Sequence, residues 1–186
     1  MQKKITNNKL LVPFIITLIG TVLMLATIFL PYATATEEHA ERLNMYADSI
    51  VYEELNITSK DMVNVSMVDY ARIYSNLSEQ VFGNSVIGII CAVFVILIGS
   101  FSLLAILFSV IKKPIAVIIF SLLSLCAFSI QNFDYSDRGV IPNSSYDWGI
   151  AYYIFYVATI VVFVGAIWML VCKIKQKRRD KLESDT

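Results

Sequence analysis

Residues 85–133 read SVIGIICAVFVILIGSFSLLAILFSVIKKPIAVIIFSLLSLCAFSIQNF, two uncharged runs parted only by Lys112 and Lys113. A hydrocarbon core about 30 Å thick needs about 20 helical residues at 1.5 Å each. Both runs satisfy that length, so the stretch predicts two membrane-crossing helices joined by a very short turn. Pro114 opens the second, where its missing N–H is harmless because the first helical turn has no partner for it.

Working outward, two more runs lack any charge, one between Lys9 and Glu37 and one between Asp147 and Lys173. The expected spans are therefore 10–30, 85–111, 114–133 and 149–172. Of the 186 residues 57% are hydrophobic and 16% charged, which excludes disorder and is too apolar for an ordinary soluble domain. The fold class expected is all-α, a polytopic membrane protein with a four-helix transmembrane bundle and a two-helix hairpin between the first and second spans.

Lys and Arg collect on the cytoplasmic side of short loops. Lys3, Lys4 and Lys9 precede the first span, Lys112 and Lys113 form the tight turn, and six more bases follow the fourth span from Lys173 to Lys181. Only Arg42, Lys60, Arg72 and Arg138 fall in the other two connections, which carry 12 of the 15 acids. The net charge of zero thus conceals +8 on one side and −8 on the other. The expected layout is a cytoplasmic N-terminus (1–9), an extracytoplasmic segment (31–84), a cytoplasmic turn (112–113), an extracytoplasmic loop (134–148) and a basic cytoplasmic tail (173–186). Tyr32, Tyr135, Tyr146 and Trp148 flank the spans on the outer side, where aromatic anchors are expected. Ala33-Thr34-Ala35 after the first apolar run has the small-x-small form of a signal cleavage site, but the run exceeds the 7–15 residues of a signal core and favours a retained anchor.

The long outer segment carries its own pattern. Thr36 can cap a helix whose first turn holds Glu37 and Glu38, and Ala40, Leu43, Ala47 and Ile50 then form one apolar stripe. Thr58 to Asp61 and Ser66 to Asp69 have capping-box spacing. Val63, Met67, Tyr70, Tyr74, Leu77 and Val81 make a second stripe at helical spacing. Two antiparallel helices packing these stripes together are expected, since each alone is marginal in water. From Glu37 to Glu79 nine acids face three bases, a solvated surface that also suits cationic peptides or metal ions.

Chemical motifs are sparse. His39 stands alone without an HExxH motif, so no metal site and no cofactor is expected. Cys91, Cys126 and Cys172 all fall in or at the edge of spans and read as small apolar packers, with Cys172 beside Lys173 placed for palmitoylation in a eukaryote. Asn56, Asn64, Asn76 and Asn143 begin glycosylation sequons on the outer side; the Ile, Lys and Asn richness and cysteine-free outer segment point instead to a bacterial source. No ionisable residue lies within a span, which argues against a coupled transporter. Small and hydroxylated residues (Thr17, Gly20 and Thr27; Ser102, Ala105 and Ser109; Ser121 and Ser124) mark helix-packing faces, and Tyr152, Tyr153 and Tyr156 suggest a hydroxyl-lined contact at the outer end of the fourth span. The basic tail is a stop-transfer and lipid-facing signal, not a nucleic-acid site.

Four spans with a long outer loop resemble claudins and tetraspanins in layout alone; the Trp and Cys signature of the first and the Cys-Cys-Gly of the second are absent. The expected function is that of a non-enzymatic accessory or assembly subunit in the plasma membrane, binding lipid and a membrane-protein partner or a second copy. A small transport, channel or peptide-immunity protein is the alternative.

Overall fold

A computed structural model describes residues 2–82 and 85–184, and among these the side chains of 10–80 and 85–182. Met1, residues 83 and 84 and the last two residues, parts of the expected N-terminus, outer segment and tail, lie outside the described residues. So does the side chain of Val81.

The chain is 78% helical. Four helices are long and apolar enough to cross a membrane: α1 (Gln2–Ala26), α4 (Val86–Val110), α5 (Pro114–Asp137) and α6 (Ile150–Ser184). Two shorter helices, α2 (Glu37–Met45) and α3 (Met67–Phe82), lie between the first pair. α1 packs on α6 and α4, and α5 packs on α4 and α6, so the long helices close a four-membered ring. Their interior faces are small or hydroxylated. Thr17, Ser102, Ala105, Ser109, Ser121 and Ser124 are all fully buried, the Ser102 and Ser124 hydroxyls meet at 3.0 Å, and Ser124 also donates to the Ile98 carbonyl. Their outward faces carry Ile19, Ile96, Leu103, Ile119 and Val164, all exposed, an apolar mantle that water would penalise and hydrocarbon would not.

Helix ends differ from the expected limits in both directions, for α1 stops at Ala26, short of the expected limit at 30, while two helices run on. α5 runs on to Asp137 and α6 continues helically from the apolar stretch through the basic tail. The turn between α4 and α5 is held by Lys112 in a left-handed conformation (φ 55°), with its ammonium 5.1 Å from the Phe14 ring centre and its carbonyl accepting from Lys173 Nζ.

The connection between α1 and α4 is not a plain helical hairpin. A three-stranded antiparallel sheet forms in the order β4 (Asn64–Ser66), β1 (Pro31–Ala35), β5 (Tyr146–Trp148), and a two-stranded one joins β2 (Ile50–Tyr52) to β3 (Ile57–Thr58). Ala33 pairs with Val65 on one side and Trp148 on the other. The physical reason is local: β1 leaves α1 directly and β5 enters α6 directly, and because α1 and α6 are neighbours, the two segments emerge side by side. Gly149 permits this approach, since a Cβ there would strike the Pro31 carbonyl, and its N–H donates to the Tyr32 carbonyl at 2.8 Å.

The two outer stripes are used, but not against each other. Ala40, Leu43 and Ala47 turn inward and are half-buried, while Ile50 has left the helix and is exposed; α2 packs on β1 and on the turn at Asp61–Val63. Met67, Tyr70, Tyr74 and Leu77 are buried, and α3 presents them to α4 and to the outer end of the bundle. Gly88 lets α3 come close, because a Cβ there would overlap the Tyr74 carbonyl.

Both capping boxes form. Ser66 N–H and Oγ–H donate to Asp69 Oδ2 while Asp69 N–H returns a bond to Ser66 Oγ, starting α3. Thr58 and Asp61 do the same around a single turn. The Thr58 N–H and hydroxyl hold the Asp61 carboxyl below its ordinary value. A depressed folded pKa contributes stability above the unfolded value, about 3.9, and loses it as pH falls through the lower folded value. Amide protection across 58–63, taken relative to the intrinsic exchange rate at each pH, is therefore expected to fall as pH drops below about 4, and Asp61→Asn is expected to remove that pH dependence. Equal pH profiles in both proteins would refute it. Thr36 does sit at the N-cap of α2, but its hydroxyl donates to the Ser144 carbonyl at 3.2 Å instead of capping.

Candidate functional site

Where the bundle meets the outer segment, aromatic rings converge. Tyr32 on β1 is fully buried and lies edge-on to Tyr70, Phe128 and Trp148, with Tyr135 tilted beside it, all at 5.5–6.2 Å between ring centres. Phe128 stacks on Phe155 at 4.0 Å, Trp148 on Tyr152 at 4.5 Å, and Tyr74 on Tyr135 at 5.9 Å. Arg138 sits over both Tyr74 and Tyr135 and pairs with Asp134 through two bonds. Tyr32 and Tyr135 are thus core residues, not the interface anchors expected from their positions at span ends.

A hydrogen-bonded chain runs through the cluster. Tyr32 Oη donates to Asn132 Oδ1 at 2.5 Å, and Asn132 Nδ2 donates to Tyr156 Oη at 3.1 Å. Cys91 Sγ and Tyr135 Oη meet at 2.6 Å. Gln131, 2% exposed, lies beside the Tyr135 hydroxyl, and among the described residues neither end of its amide is in a well-formed bond. Burial pushes the Tyr32, Tyr70 and Tyr74 phenols above their ordinary value, and burial likewise pushes Tyr146 up to about 12 while its hydroxyl donates to the Met62 carbonyl at 2.8 Å. These four phenols therefore stay neutral at physiological pH, and their rings pack the segment 31–84 against the end of the bundle.

Of the positions singled out in the sequence, the cluster gathers Tyr32, Tyr135, Tyr146, Trp148, Tyr152 and Tyr156. Tyr153 points outward and is 58% exposed. His39 lies edge-on to Tyr146 at 5.2 Å, and among the described residues no three His, Cys, Asp or Glu converge to hold a metal. Asn56 takes a left-handed conformation at the end of a turn (φ 51°), Asn76 donates to the Arg72 carbonyl, and Asn143 caps its own loop through Ser145 N–H and Tyr146 N–H. Ala33 and Ala35, the small residues of the cleavage-site pattern, are buried in the middle strand. The Gln131-Asn132 pair had a signal, two adjacent amides in an apolar run, that a search for ionisable groups passes over.

The far rim of the outer segment has a different character. Met45, Tyr46, Ile50 and Val51 are exposed by 73%, 64%, 54% and 42%. They sit at the end of α2 and on β2, which among the described residues pairs with β3 alone and carries no strand along its other edge. Around them Glu41, Asp48, Glu53 and Glu54 are exposed. From residue 37 to 54 six acids meet one base, Arg42, which is already within 3.8 Å of Glu38. An apolar strip edged by carboxylates, on an open strand edge, is complementary to a segment that is both apolar and basic.

No protein-family model, curated protein or solved structure matches the chain.

Proposed function

We propose that this protein is a non-enzymatic accessory subunit of the plasma membrane: its four long helices cross the bilayer, both termini are cytoplasmic, and the outer segment 31–84, closed by the loop 134–148, binds the basic, apolar segment of a membrane partner. The observation that carries this reading is the exposed strip Met45, Tyr46, Ile50 and Val51 within an acidic rim. Four such side chains at the tip of a water-facing segment are a liability for a solitary protein and an asset at an interface. The distribution of Lys and Arg supports the orientation. The closed interior, with Met24, Ile98, Phe128 and Val162 fully buried, supports a scaffold over a conduit.

Capture from native membranes in mild detergent tests the partner. The double variant Tyr46→Ser/Ile50→Asp is expected to recover at least about tenfold less partner, equivalent to about 1.4 kcal/mol, with unchanged protein level and melting. Recovery is also expected to fall with added salt, since the acids are solvent-screened. Equal recovery by the variant would overturn the assignment of the rim. The same acidic strip favours one second reading, capture of a cationic peptide in immunity. Protection of cells from added cationic peptides, lost in the double variant, would favour it over a resident partner.

A further inference from the structure

Between α1, α3 and α4 lies an open groove of about 590 Å³, separate from both the aromatic cluster and the rim. Its floor is one face of α4, with Ala92, Ile96, Gly99 and Leu103 along it, and Leu25 of α1 and Ile28 of the single turn that follows α1 form the far wall. Its outer end is roofed by α3, which contributes Val68 and Ala71 and then the polar Arg72, Ser75 and Asn76. From Ala92 to Leu103 the groove extends about 16 Å at 1.5 Å per residue, half of a hydrocarbon core about 30 Å thick. It is thus apolar over the depth of one leaflet and cationic at the level of the headgroups.

We propose that this groove holds a single anionic glycerophospholipid, an acyl chain lying along α4 at Gly99 and its phosphate on Arg72. The guanidinium is available: its ion pair with Asp69 is 3.9 Å long, and among the described residues it makes no side-chain hydrogen bond. A planar fork of donors suits a phosphate in two-point contact. Gly99 makes the slot, since the nearest atom a Cβ would meet is Ile28 Cδ1 at 3.5 Å. A neighbouring transmembrane helix is a poorer occupant. It would press against Arg72 and Asn76 at the groove's outer end. The inference rests on the long helices being embedded in a bilayer, and not on the partner at the rim.

The test is native mass spectrometry of the full chain in mild detergent with equal phosphatidylglycerol and phosphatidylcholine. One retained phospholipid is expected, with phosphatidylglycerol favoured at least about fivefold. In Gly99→Leu the new Cβ meets nothing closer than Ile28 Cδ1 at 3.5 Å and the side chain enters the slot, so the variant is expected to lower retention of both lipids at least about tenfold at a melting temperature no lower than the parent's. Arg72→Gln is expected to keep retention and bring the two lipids to parity. Retention by Gly99→Leu equal to that of the parent overturns the site, and an unchanged lipid preference in Arg72→Gln overturns the headgroup position. Disulfide cross-linking of Ser100→Cys to a second copy at high yield would also overturn it, by making the groove a subunit interface. Neither variant touches the rim, so partner capture should persist in both, and loss of lipid with partner capture intact separates this site from the rim's function.

Discussion

Replacing Tyr32 with alanine is expected to cost about 3–5 kcal/mol of stability, the range for truncating a fully buried aromatic side chain, and to detach the outer segment from the bundle. The ring is fully buried and touches Tyr70 from α3, Phe128 and Tyr135 from α5 and Trp148 from β5. These neighbours come from three separate elements, so loss of the ring opens a cavity that no single neighbour can fill. Tyr32→Phe separates ring from hydroxyl. It keeps the packing and removes the bond to Asn132, and polar contacts between membrane helices average about 0.6 kcal/mol with a ceiling near 1.7. Denaturant unfolding in detergent, together with proteolysis of the outer segment, checks both. The ordering expected is parent, then Tyr32→Phe, then Tyr32→Ala by a wide margin. An alanine variant that unfolds with the parent would mean the cluster does not fasten the two parts together.

That cluster also marks where sequence reasoning stops. The four long helices are legible because an uncharged apolar run of span length is rare in a chain that folds in water, and both capping boxes are legible because three-residue spacing of hydroxyl and carboxylate is a local device. The stripe through Met67, Tyr70, Tyr74 and Leu77 is likewise visible as a face, but periodicity says that a face is covered and not by what. Here α4 and Tyr135 cover it. The sheet leaves no mark in the residue pattern. Its strands are three to five residues long, too short for alternation to register, and they exist because the α1–α6 contact places Pro31 and Gly149 together. Position alone makes Tyr32 and Tyr135 look like interface anchors; whether an aromatic ring at a span end faces headgroups or a core depends on what the connection folds over it. The rim at Met45–Val51 is hidden for a related reason. Ile50 continues the helical stripe in sequence, yet α2 ends at Met45 and turns the remainder outward.

The second large effect is expected at Gly165, and its contrast with Gly99 makes it a test of the bundle itself. α1 and α6 form the most extensive helix contact in the protein. A Cβ at Gly165 would lie 2.5 Å from Thr17 Oγ1 and 2.9 Å from the Thr17 backbone nitrogen. The hydroxyl cannot swing away cheaply, because it donates to the Pro13 carbonyl at 2.7 Å and is fully buried; the backbone cannot move without α1. Gly20 repeats the arrangement from the other side, where a Cβ would meet Val162 Cγ2 at 2.8 Å and the Ala158 carbonyl at 3.2 Å. Close backbone approach at small residues is what holds helices together where no hydrophobic force acts between them. Gly165→Leu is therefore expected to cost about 3 kcal/mol or more, the upper end of overpacking effects, whereas Gly99→Leu, whose Cβ meets Ile28 Cδ1 at an ordinary contact distance of 3.5 Å, is expected to cost no stability. Both substitutions remove a glycine from a helix interior, which by propensity alone favours each by about 1 kcal/mol, so the difference between them isolates the contact. Reversible unfolding of the two variants in detergent measures it. If they unfold together, the α1–α6 seam does not set the bundle's stability, and the ring of four helices must be held chiefly by the Ser102–Ser124 layer and the aromatic cluster above it.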